Sequence, residues 1–278
     1  SKRVGRERFA AANGDSPEFA INVETGKAGN TMSNLPQFVI VLRVHWACEV
    51  LTFWLVLALV AVAPANAQER NLAPGFKAIA PDARIAIMPT DIELFEVSAG
   101  GLLEPKADWT EAATRHFKAA LVERKKSFGA ATVELTERDQ DEVAEINALH
   151  AAVARSIAAH HFGPGFLRLP TKDDKLDWSM GEAVRIIKDK TGANYALFTW
   201  MRDSYASSER IAATVLLALL GVGLAPGGAQ IGYASLVDLN TGQVLWFNHL
   251  MRGMGDLREA DKAKETLEAL LAQFPALK

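Results

Sequence analysis

The sequence predicts an α/β domain, bordering on α+β, with one mixed β-sheet, helices packed on it, and a β-hairpin followed by a helix at the C-terminal end. Three observations lead there. Short apolar runs at residues 84–88, 132–135 and 195–201 alternate with stretches of helical periodicity. Two longer apolar runs, 231–239 and 243–250, face each other across Asn240-Thr241-Gly242. A last stripe, Leu257, Ala260, Leu267, Leu270, Leu271 and Phe274, repeats at helical spacing.

Taken in order, residues 68–82 carry Pro74, Gly75 and Pro81 and read as a linker, and the domain proper spans residues 83–278. Residues 84–88 form a buried strand closed by Pro89, and residues 94–98 a second one ended by Gly100-Gly101. Asp108 stands three residues before Glu111 as a cap with its reciprocal acid, and Trp109, Ala113, Phe117, Ala120 and Leu121 follow at helical spacing. After the strand at 132–135, Val143, Ile146, Leu149, Val153 and Ile157 mark the apolar face of a long helix. Ser179 and Glu182 repeat the capping pattern before a short helix ending at Thr191-Gly192. A strand over 195–201 and the hairpin complete the sheet, with Gly242 in the left-handed position of a three-residue turn. Both faces of the hairpin strands are apolar, as in a sheet covered by helices.

The chain has 278 residues and a formal net charge of -3. With a pI near 6.1 it lacks the basic stripe of a nucleic-acid binder, and no nucleic-acid partner is expected. The single cysteine, Cys48, excludes an internal disulfide and a cysteine-rich metal framework. Residues 1–31 are polar and aperiodic and read as a disordered or over-extended leader. From Met32, a basic stretch with Arg43 and His45 precedes an apolar run over 50–63, followed by Pro64 and Ala65-Asn66-Ala67. This is the pattern of a secretory signal peptide over 32–67 with cleavage after Ala67, and it places the protein in the periplasm or cell envelope. Removing residues 1–67, which hold 6 of the 30 basic and 5 of the 33 acidic residues, leaves 24 and 28 on a cysteine-free remainder.

Segments 84–89, 192–198 and 232–246 belong together. Within them stand Gly192-Ala193-Asn194-Tyr195 and Val237-Asp238-Leu239-Asn240-Thr241-Gly242-Gln243-Val244-Leu245-Trp246. The chain over 83–272 thereby resembles the bacterial envelope proteins whose domain is like the TolB amino-terminal domain and the periplasmic domain of the curli secretion channel. The resemblance implies a role in assembly, scaffolding or secretion without catalysis, and gives no catalytic residues to carry over. Many such proteins are lipoproteins; here His45-Trp46-Ala47 before Cys48 is unsuited to lipid attachment.

No H-E-x-x-H, G-x-S-x-G or P-loop lysine is present, and no catalytic, cofactor-binding or metal residue is assigned. Gly221-Val222-Gly223 with Gly227 is followed by a strand where a dinucleotide loop needs a helix. His160-His161 reads as dipole complementation at a helix end. Asp203-Ser204-Tyr205 is read as a loop after the strand ending at Met201, the place a hydrolase or small-ligand site would use.

The unusual segment is 211–225, inside an excursion over 203–229: twelve of its fifteen residues are apolar, the others being Thr214, Gly221 and Gly223. A surface connection has no local reason to be so apolar. It is either a buried core helix, a self-association surface or a membrane-contacting element. As a helix it reaches about 22 Å, short of the roughly 30 Å hydrocarbon core of a bilayer. The contact residues assigned are Ile211, Val215, Leu216, Leu217, Leu219, Leu220, Val222 and Leu224. The expected partners are envelope proteins or a second copy of the chain, with membrane contact.

Overall fold

The computed structural model divides the chain into two units, Ser1–Ala58 and Leu59–Lys278. The described residues, 70–128, 130–135, 137–221, 227–253 and 255–277, all fall in the second. The leader and signal segment therefore lie outside them, as do Val222 and Leu224.

Pro89 shapes the sheet. Strands β1 (Arg84–Ile87) and β2 (Asp91–Val97) run one after the other along the same edge of the long strand β5 (Tyr195–Ala206), both parallel to it. Proline has no amide hydrogen for the ladder, so after the Met88 amide bonds the Leu197 carbonyl at 3.0 Å pairing lapses until Asp91, and the stretch from Ile85 to Asp91 faces the one-residue-shorter stretch from Tyr195 to Trp200. The interruption forks the sheet. Beyond β1 lies β4 (Ala131–Glu134), parallel to it; beyond β2 lies β3 (Leu103–Pro105), antiparallel. On the far edge of β5, β6 (Gln230–Asp238) and β7 (Val244–Arg252) add the antiparallel hairpin. The result is a mixed seven-stranded sheet in an α/β fold, as expected.

Helices cover both faces, because side chains along each strand alternate between two cores. Ile85, Ile87, Leu197, Leu236 and Trp246 pack with Phe117 and Leu121 of α1 (Ala107–Lys125). Two further helices follow β4: α2 (Glu137–Glu142) and α3 (Ala144–His160). Ala86, Phe198, Val237 and Phe247 meet Ala154 and Ile157 of α3, and Ile187 of α4 (Arg185–Thr191). After α5 (Ser208–Leu219), the last helix, α6 (Ala260–Leu270), returns to the first face with Leu267 and Leu270.

Gly242 has φ +73, the left-handed conformation expected of it, and a Cβ there would stand 2.1 Å from the Gly181 carbonyl oxygen. Two caps differ from expectation. Helix α1 starts one residue before Asp108, with Lys106 in the cap position and no side-chain cap, because the Lys106 amide is tied to the Leu94 carbonyl and the Thr110 hydroxyl accepts from the Leu94 amide. Ser179 caps no helix: it accepts from the Gly181 amide and bridges to Gln243, and a 3-10 turn (Gly181–Val184) leads into α4. The stretch read as a linker is, over its described part, docked on the sheet. Ile79 is fully buried and bridges to Leu277, while Leu72 bridges to Trp246.

Candidate functional site

The excursion leaves the sheet where β5 ends and re-enters it where β6 begins. Expected as a loop, Asp203-Ser204-Tyr205 is strand: β2 pairs with β5 without a break from Asp91↔Trp200 to Val97↔Ala206. Leu94, Phe95 and Glu96 hold these three residues, in a strand that begins three residues before the 94–98 expected, because Asp91 to Glu93 carry two acids and no apolar run. Arg202 of β5 accounts for those acids, bonding Asp91 at 2.7 Å and Glu93 at 3.2 Å.

Alternation then sends Asp203 inward. Its carboxylate is 2% exposed. The Oδ2 atom accepts from the Tyr205 hydroxyl at 2.5 Å and from Gln230 Nε2 at 2.6 Å. Gln230 Oε1 accepts in turn from Arg252 Nε at 2.8 Å and from the Thr266 hydroxyl at 3.1 Å. The Tyr205 oxygen accepts from the Leu257 amide at 2.8 Å, while Arg258 lies 3.8 Å above the Tyr205 ring and is clamped by Asp256. Burial raises the Asp203 pKa, against the two hydrogen bonds that favour its charged form. Burial, and next to it the neighbouring Asp203, raises that of Tyr205 as well. Of this network the sequence suggested only Asp203 and Tyr205; Gln230 and Arg252 come from strand ends, Arg258 from the turn before α6 and Thr266 from α6, brought together by the fold.

The network borders a cleft of about 310 Å³ that also includes Ser204, Ile211 and Gly228. A hydrolytic reading finds no support in its geometry. The Ser204 hydroxyl accepts from the Ala229 amide at 2.9 Å and donates to the Ala229 carbonyl at 3.2 Å. It shares no hydrogen bond with the Asp203 carboxylate, whose partners are Tyr205 and Gln230. What the arrangement does is fasten the two ends of the excursion. Asp203→Asn, which keeps an acceptor for both donors, should change the unfolding free energy by under about 1 kcal/mol. Asp203→Leu orphans the Tyr205 hydroxyl and the Gln230 amide and should cost about 2 kcal/mol; urea titration of both variants separates these values.

Above this base stands α5. The Ser207 hydroxyl caps it, accepting from the Arg210 amide at 3.2 Å, and the Ser207 amide holds the turn to β2 through the Val97 carbonyl at 3.0 Å. From there the helix has no buried residue. Ile211, Val215, Leu216, Leu219 and Leu220 are between 48% and 80% exposed, and Leu217 is half-buried. The alternative of a buried core helix is thus excluded for the described part of the segment. Among the described residues, no helix is long and apolar enough to cross a membrane.

The remaining sequence candidates are spread out. His160 stands in the last turn of α3, at the helix end expected, with Nδ1 donating to the Leu167 carbonyl at 2.7 Å, and His161 Nε2 donates to the Arg70 carbonyl at 2.9 Å. Among the described residues, no three His, Cys, Asp or Glu side chains gather as a metal site. A second cleft, of about 210 Å³, lies at the carboxyl ends of β1 and β4 beside Lys118, and an ion pair between Lys125 and Glu134 forms part of its wall.

No family model matches the chain, and no curated protein does. Solved structures match it at low identity and low TM-score. The PelC dodecamer from Paraburkholderia phytofirmans is 13% identical, with 74% of this chain and 95% of that one covered and a TM-score of 0.33. The lipoprotein GNA1162 from Neisseria meningitidis is 14% identical over 68% and 93%, with a TM-score of 0.28. The LpoB C-terminal domain from Salmonella enterica is 13% identical over 66% and 88%, at 0.25. None of these three is a TolB amino-terminal or curli-channel domain.

Proposed function

We propose that the protein is an exported, non-catalytic component of the cell envelope that acts in assembly, scaffolding or secretion by contact through α5. The observation behind this reading is a helix with no buried residue whose long side chains from Ile211 onward are apolar and, Leu217 apart, exposed, fixed at its root by a buried polar network. Exposed apolar surface of this kind marks an interaction site. The signal-peptide pattern of residues 32–67 supplies the compartment.

The test is cell fractionation of the full chain beside Leu216→Ser/Leu219→Ser. Surface changes of this kind should leave stability within about 0.5 kcal/mol, so the variant should fold normally. The unaltered protein is expected in the envelope fraction and the variant in the soluble periplasmic fraction. Retention of both in the cytosol would overturn the export reading. An identical envelope distribution, or a variant that unfolds, would overturn the role of α5.

A further inference from the structure

Resting on that reading, the geometry points to the partner: we propose that α5 enters one leaflet of a lipid bilayer and that this end of the sheet is the membrane-facing end of the domain.

The first argument is angular. At about 100° per residue, the exposed apolar residues of 211–220 occupy an arc of roughly 220°, leaving only Thr214 and Leu217 half-buried. A helix that docks into a protein groove needs an apolar stripe of about 100° and keeps its other side polar. Here that polar side is missing: from Ile211 to Leu220 there is no charge, and Thr214 is the one polar side chain. A second protein covering one face would leave the rest in water. Acyl chains wet every side.

The second argument is length. Ten residues of helix rise about 15 Å, half of a hydrocarbon core of about 30 Å. Glu209 and Arg210 close the apolar part at the root, at headgroup level in this placement, with the Arg210 guanidinium beside Gly101 and Gly227.

The third argument is independent of α5. Leu102 and Leu103 are 71% and 59% exposed and Met251 is 73% exposed. Leu103 pairs with Val97, opposite the end of β5, and Met251 pairs with Ile231 at the start of β6. The turn before Leu102 is the one that Arg210 touches. With the five from α5 and its end, eight of the thirteen large apolar side chains exposed among the described residues lie at this one end of the sheet. The inserted helix is thus surrounded at its base by side chains suited to the interfacial zone.

The full chain also carries the apolar run at 50–63, so vesicle binding alone is not the readout. In a Cys48→Ser background, Leu216→Cys, Leu219→Cys and Phe166→Cys would each carry an environment-sensitive fluorophore. Each is mixed with vesicles of phosphatidylethanolamine and phosphatidylglycerol, 3:1, with and without bromine on the acyl chains. Circular dichroism verifies folding, and light scattering gives the mass without lipid. Positions 216 and 219 should be quenched at least twofold by acyl-chain bromine, and position 166, also exposed but in another segment, should not. Unquenched labels at 216 and 219 overturn the lipid inference. If the protein then self-associates and Leu219→Ser abolishes it, the contact reading stands with a second copy as partner. If it neither inserts nor associates, both fall.

Discussion

Trp246→Ala should lower the unfolding free energy by about 3–5 kcal/mol, the range for deleting a large aromatic from a core that cannot collapse around the gap. Trp246 is fully buried on β7, where the helices α1 and α6, the Phe274 ring at 5.2 Å and the bridged Leu72 close over it. Among the described residues its indole nitrogen finds no hydrogen-bond partner, so the loss is one of packing and apolar burial. The contrast with Leu219→Ser, an apolar residue of similar hydrophobic character but 80% exposed, is the sharpest available measure of which side chains hold the fold together. Guanidinium unfolding of the two variants should differ by several-fold in the shift of midpoint at unchanged slope. Equal shifts would mean that α5 belongs to the core.

Acid should weaken the domain well above the carboxylate range, and His150 should account for the largest part. It lies on α3 against Phe198 at 4.8 Å with Nε2 2.8 Å from the Ser235 hydroxyl, and burial pushes its pKa down to about 3. The imidazole is neutral in the folded protein and titrates near 6.5 in the unfolded chain. Above pH 6.5 both states are neutral and the contribution is fully present. As pH falls below 6.5 the unfolded chain alone takes up a proton, and stability drops by about 1.4 kcal/mol per pH unit for each such group. From His150 the loss would reach about 5 kcal/mol near pH 3. Burial also lowers the pKa of His161 and His249, so each adds in the same direction to the slope that His150 gives. His150→Gln should reduce that slope by about one proton, whatever it does to stability at pH 7; an unchanged slope in urea titrations would refute the assignment.

The elements that were legible in the sequence are those whose periodicity a single core imposes. The hairpin of β6 and β7 was one, because two apolar strands flank a turn that needs Gly242 at φ +73. The stripe on α3 was another, since Val143 and Ile157 are buried in the second core and Ile146, Leu149 and Val153 pack half-buried against it, although the fully buried Ala151 and Ala154 stood outside that stripe. Short elements stabilised from outside themselves were not legible. Strand β3 is three exposed residues whose only reason to be extended is pairing with β2. The cap expected at Asp108 competed with a tertiary hydrogen bond from the Leu94 amide to Thr110, which no local pattern contains. The site divides in the same way. The apolar excursion shows in composition, whereas the network at its base joins Asp203, Gln230, Arg252 and Thr266, which stand far apart in the chain and meet only through strand pairing and the docking of α6.

The split strand has a consequence for the order in which the protein forms. Arg84 and Asn194, neighbours at the junction of β1 and β5, are 110 positions apart. A sheet whose central strand joins partners this distant has high contact order and forms slowly, since the closure entropy comes before the contacts that offset it. In a chain that emerges amino terminus first, β1 and β2 wait with an open edge while more than a hundred residues follow. The strand that covers this edge leads directly into α5 at Ser208. Covering of this edge and appearance of the apolar helix are therefore nearly one event, whereas the network that fixes the base of the helix waits for Gln230, Arg252 and Thr266, which follow it in the chain.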